Sequence, residues 1–152
     1  MPGVWFDELR LGQTFDHPIR RTVTETDNLL FSTMTHNPAA LHLDEAYMQA
    51  ESEYGTRIVN SCFTLGLMVG ISVNDTTHGT AVANLGWDEV RFPRPVFIGD
   101  TLRIESEVLD LRASKSRAGQ GIVTFAHRAY NQNGELVATC KRSGLQRMRP
   151  EA

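Results

Sequence analysis

Ile58-Val59-Asn60-Ser61-Cys62-Phe63-Thr64-Leu65-Gly66-Leu67-Met68-Val69-Gly70-Ile71-Ser72-Val73 is the most apolar window of the chain. Phe63, Leu65, Leu67, Met68, Val69 and Ile71 leave it almost no polar face. A segment of this length is helical, and a helix that is apolar all round is a buried one. Asn60 or Ser61 would cap its start by accepting a bond from a first-turn N–H. Gly66 and Gly70 weaken the helix, yet they stand four apart on one side and predict the close approach of a sheet.

The sequence on either side supplies that sheet. Upstream, residues 1–13 are an approach segment that lays Trp5, Phe6 and Leu9 on the body. Thr14 to Val23 has strand composition interrupted by Pro18, which predicts an edge position. Thr24 to Asp27 has the pattern of a capping box. It opens a short helix with Leu29, Leu30, Phe31 and Met34 on an apolar face, ended by Pro38. Leu43 to Tyr54 predicts a second short helix, with Asp44 and Glu45 at its start and Gly55 at its C-cap. Downstream of the turn-like Asn74 to Gly79, four stretches read as strands: Thr80 to Phe92, Thr101 to Leu111, Ile122 to Tyr130 and Glu135 to Met148. Thr101 to Leu111 alternates apolar and charged residues as a half-buried strand does. Asn133-Gly134 marks a hairpin turn.

A long buried helix needs a wrapping partner, and an antiparallel meander is the one available. The predicted class is α+β: a hot-dog fold, in which a curved antiparallel sheet wraps a long central helix. The 152 residues suffice for one domain spanning 1–152. Free sheet edges are a route to a homodimer or a higher homo-oligomer.

Bulk properties narrow the function classes. A net charge of -3 argues against a nucleic-acid partner. No apolar run approaches the length of a transmembrane helix, so no membrane partner is expected. The N-terminus has no basic region followed by an apolar core, as a secretory signal would, and a cytoplasmic location is inferred. Cys62 and Cys140 fit no metal-ligand spacing. Cys62, in an apolar window, is expected to be buried. No metal or redox cofactor is implied.

Chemistry near neutral pH concentrates in Phe31 to Asp44, which holds His36, Asn37, His42 and Asp44. His42 is the candidate acid–base group, with Asn37 five positions before it. Against this, His42 could be a loop histidine bonded to backbone, and Asn37 could serve only an Asx turn before Pro38. Asp44 reads first as a helix cap, and His36 as an exposed loop residue. Arg91, Arg94 and Lys115 could meet phosphates, although isolated surface cations usually meet water.

Phe31 to Asp44 resembles the hydratase signature of the MaoC-like, R-specific enoyl-CoA hydratase family of hot-dog proteins. Phe92-Pro93-Arg94-Pro95-Val96-Phe97-Ile98-Gly99-Asp100 is similar to the family's turn before a strand. The resemblance implies an acyl-CoA hydratase or dehydratase that adds or removes water across the double bond of an enoyl thioester. It places His42 on the catalytic histidine and Asn37 on the catalytic aspartate. The second group is thus an amide, which can orient water but cannot take a proton. It also implies that backbone N–H groups of Ser61 and Cys62 bond the thioester oxygen, with His36 and Asp44 as accessory groups. Asn37-Pro38 together with Asn84-Leu85-Gly86-Trp87 is most similar to members acting on short branched or dicarboxylic acyl-CoA, such as mesaconyl-CoA or methylmalyl-CoA. The alternatives are a hot-dog thioesterase, disfavoured because residues 61–73 hold no acidic group, and a non-catalytic acyl-CoA-binding or partner subunit.

Overall fold

A computed structural model describes residues 3–151. Its elements are β1 (Thr14–Asp16), β2 (Arg21–Thr22), α1 (Glu25–Met34), α2 (Ala40–Leu43), α3 (Glu45–Glu51), α4 (Ser61–Thr76), β3 (Ala81–Arg91), β4 (Thr101–Ala113), β5 (Gln120–Tyr130) and β6 (Leu136–Arg147). The sheet is antiparallel and six-stranded, in the order β1-β4-β5-β6-β3, with β2 also on β4. It curves around α4, which is the hot-dog arrangement. Met68 and Ile71 of α4 pack with Leu102, Ile104, Ala129, Val137 and Cys140 of the sheet. Among the described residues, no helix is long and apolar enough to cross a membrane.

Several local expectations are corrected. Pro18 does more than mark an edge: it divides the first strand into β1 and β2. The central helix starts at Ser61 rather than Ile58, because Ile58 instead forms a bridge with Phe97 and Asn60 takes the N-cap. It is buried on one face only, through Thr64, Met68, Ile71, Ser72 and Thr76. Gly66 and Gly70 lie on the exposed side, and a Cβ on either would meet nothing within 4 Å. The sheet therefore approaches the opposite face, where residues with side chains fill the space. Cys62 is exposed rather than buried, because it stands one turn before Gly66 on the exposed side of α4, whereas Cys140 is buried. Helix α1 turns Asn28 and Ser32 inward and leaves Leu29, Leu30 and Met34 exposed. The predicted second helix is two, α2 and α3, with Asp44 between them, and it ends at Ser52. Gly55, with φ 67°, sits in the turn beyond.

A chain of polar groups, four buried and the last half-buried, crosses the sheet beneath α4. Arg142 of β6 donates Nε–H to His127 Nε2 at 3.1 Å. His127 Nδ1 lies 2.7 Å from Ser106 Oγ, and Ser106 Oγ lies 2.8 Å from His17 Nε2. His17 Nδ1 lies 2.8 Å from Asp75 of α4. Arginine can only donate, so His127 accepts at Nε2, carries its hydrogen on Nδ1 and donates to Ser106 Oγ, while at the far end the Asp75 carboxylate accepts from His17 Nδ1. Accepting at one ring nitrogen and donating at the other makes His127 neutral. Burial, reinforced by Arg142, pushes its imidazole down to about 3.

Candidate active site

His42 is the buried residue of α2, 8 % exposed. Its Nδ1 lies 2.8 Å from the carbonyl oxygen of Ile58. A carbonyl accepts only, so Nδ1 carries a hydrogen, and in the neutral ring the lone pair is then on Nε2. In that tautomer Nε2 is the nitrogen available to accept a proton. The contact also ties α2 to the segment that enters α4, three residues before Ser61.

Asn28 of α1 completes this linkage. Its Nδ2 donates to the His42 carbonyl at 3.0 Å, and its Oδ1 accepts the Asn60 N–H at 2.9 Å. Asn28 is 1 % exposed and Asn60 4 %. Asn60 Oδ1 in turn caps α4 by accepting from Cys62 N at 3.0 Å, and its Nδ2 donates to Ser32 Oγ at 3.3 Å. One buried amide therefore fixes both the histidine's helix and the N-terminus of α4. Arg57 holds the same entry segment from outside, with Nε on Glu45 at 2.8 Å and Nη2 on Glu25 at 3.0 Å. The Arg57 guanidinium, with Thr56, holds the Glu45 carboxyl down to about 2.

At the start of α4 the two suggested donors differ. The Cys62 N–H is committed to Asn60. The Ser61 N–H has no acceptor among the described residues and stands at the positive end of a 16-residue helix. Beside it lies a cavity of about 230 Å3. Tyr54, Ile58, Ser61, Thr64, Arg94 and Val137 form much of its wall. Thr64 is 1 % exposed, and its hydroxyl has no partner among the described residues. Arg94 is paired to Glu135 at 3.0 Å.

The remaining expected groups lie on the loop before α2. Asn37 Oδ1 accepts from Ala39 N at 3.1 Å, the Asx turn that Asn-Pro favours. That leaves its Nδ2 uncommitted among the described residues, and it shares no hydrogen bond with His42. His36 is exposed with φ 56°, the left-handed residue that stops α1. Asp44 caps α3, accepting from Tyr47 N at 2.9 Å. Arg91 and Lys115 are exposed. Sequence reasoning did not single out Asn28 or Thr64. Asn28 sat within an apolar-looking helix, and the one available signal was its placement, with Ser32, at helical spacing on the polar side of α1.

Residues 7–130 match the MaoC like domain. The chain belongs to that family. It is 35 % identical over 150 residues to a mesaconyl-CoA hydratase of Cereibacter sphaeroides, covering 99 % of this chain and 43 % of that protein. It is 34 % identical over 137 residues to a β-methylmalyl-CoA dehydratase of Chloroflexus aurantiacus, covering 90 % of this chain and 38 % of that protein. The chain thus spans less than half the length of these curated relatives. The X-ray structure of a monoamine oxidase regulatory protein from Archaeoglobus fulgius superposes with TM-score 0.86 at 30 % identity, covering 99 % of this chain and 98 % of that one.

Proposed function

We propose that this MaoC-like chain, as one hot-dog domain over residues 1–152, is a hydro-lyase acting on enoyl-CoA thioesters. The observation that carries the reading is His42, whose Nδ1–H is spent on Ile58 while Nε2 remains free, held by one buried asparagine to a helix N-terminus with an unused N–H. In hydration, His42 Nε2 takes a proton from water as the oxygen bonds the β-carbon. The electrons of the double bond move toward the thioester, and the Ser61 N–H stabilises the charge on its oxygen. The histidine then returns its proton to the α-carbon; dehydration runs the same steps backward.

In this reading Asn37 Nδ2 orients the water, and Arg94, in the cavity wall and paired to Glu135, exchanges that partner for a CoA phosphate. The relatives named for mesaconyl-CoA and β-methylmalyl-CoA support a short, branched, dicarboxylic acyl group. A homodimer in the cytoplasm is part of the proposal. Two thioesters, crotonyl-CoA and mesaconyl-CoA, test it by loss of the enoyl absorbance. Turnover of either supports the hydratase, and the faster one sets the acyl class. Release of free thiol without hydration would make the chain a thioesterase. Binding without either reaction would make it an acyl-CoA-binding subunit.

A further inference from the structure

Toward the C-terminal end of α4, away from Ser61, a cavity of about 410 Å3 opens between the last turns of the helix and strands β3 and β6. Val73, Phe125 and Leu145 give it apolar walls, Thr77 and Asn84 polar ones, and Arg142 reaches it from β6. Arg142 is 6 % exposed. Its Nε–H is spent on the neutral His127, and its guanidinium lies 5.7 Å from the Phe125 ring centre. Its Nη2 is buried with no hydrogen-bond partner among the described residues. Its countercharge, Asp75, stands at the far end of the hydrogen-bonded chain, beyond His127, Ser106 and His17. By contrast Arg21, Arg57, Arg103 and Arg128, all more exposed, each hold a carboxylate directly. A desolvated guanidinium keeps a planar fork of donors, and the group that fits that fork is a carboxylate.

We propose that this cavity binds a small organic carboxylate, as a free acid, against Arg142. The proposal does not rest on the hydratase reading: the cavity lies at the other end of the 16-residue α4 from Ser61, about 18–24 Å away at 1.5 Å per residue, beyond the reach of a short acyl chain held there. The apolar walls take the ligand's carbon chain, and the volume suits a small ligand.

Calorimetric titration of the whole chain with succinate, and with succinamide as its uncharged counterpart, tests the site. In parallel the Arg142 Nε–H resonance is followed in the wild type, which keeps the test alive if a variant fails to fold. Succinate shifts that resonance and binds; succinamide does neither. Arg142→Gln weakens succinate at least tenfold, and Arg142→Lys weakens it less. The kcat/KM preference for a dicarboxylic over a monocarboxylic enoyl thioester stays unchanged in Arg142→Gln, as a site remote from Ser61 requires. The proposal is overturned if succinate neither binds nor moves the Arg142 resonance. A wild type that turns over no thioester removes only the hydratase reading, because the succinate titration still decides the site.

Discussion

Asn28→Ala removes the amide that joins His42 to the central helix. Two buried main-chain groups lose their partners: the His42 carbonyl and the Asn60 N–H. A buried backbone group left unpaired costs about 1–3 kcal/mol, so the variant loses ~2–6 kcal/mol of folding stability. For a domain of this size that lowers Tm by roughly 10 °C. The second effect falls on catalysis. His42 keeps its bond to Ile58 but loses the brace on its own carbonyl, and a misplacement near 1 Å costs ~10²-fold in rate. The loss should appear in kcat more than in KM. Asn28→Asp separates the two bonds: it keeps an acceptor for Asn60 N–H but sets a carboxylate against the His42 carbonyl, and should be at least as damaging as alanine. Urea unfolding and initial rates on the preferred enoyl thioester are the assays. A loss below about 1 kcal/mol with kcat within about twofold of wild type would refute the reasoning.

Other outcomes follow from the same geometry. Thr64→Val deletes an unpaired buried hydroxyl and should stabilise the fold by ~0.5–2 kcal/mol in urea unfolding; destabilisation would mean the hydroxyl has a partner. Gly121→Ala would place a Cβ 2.3 Å from the Phe6 ring, so the aromatic must lift off the sheet at ~1–3 kcal/mol, read from Tm; an unchanged Tm would place the ring elsewhere. His127 is held neutral with its imidazole at about 3, whereas an unfolded histidine titrates near 6.5. Its contribution is therefore complete above about pH 6.5 and is lost by ~1.4 kcal/mol per pH unit as the pH falls toward 3. Between pH 7 and pH 5 a folded His127→Gln variant should show a shallower fall than wild type, and equal slopes would contradict a neutral His127.

Much of this architecture could be read from residue pattern because the determinants are local. Apolar runs, the Thr24–Asp27 capping box and the Asn-Gly turn each act within a few positions, and together they give helix, strands and their order. What the pattern did not give depends on partners distant in sequence. Gly66 and Gly70 share a helix face, but spacing does not say whether that face meets the sheet or solvent. Leu29, Leu30 and Met34 suggested an inward apolar stripe, whereas the inward positions belong to Asn28 and Ser32. Those side chains are required to bond a carbonyl and an N–H supplied by other elements. At the site, His42 and the start of α4 were legible from the stretch around Asn37 and the window from Ile58. The brace between them was not, because it joins residues 14 and 32 positions apart. The Arg142 chain escaped for the same reason: its members come from β6, β5, β4, α4 and the segment after β1.

The central claim is that His42 Nε2 moves the proton, and the most direct measurement is kcat of His42→Ala on the enoyl thioester that wild type prefers. Removing a general acid–base group costs about 10²–10⁴-fold. The account predicts a loss in that range with the fold intact by circular dichroism. A His42→Ala protein that turns over within about threefold of wild type would contradict it and place the base on another residue.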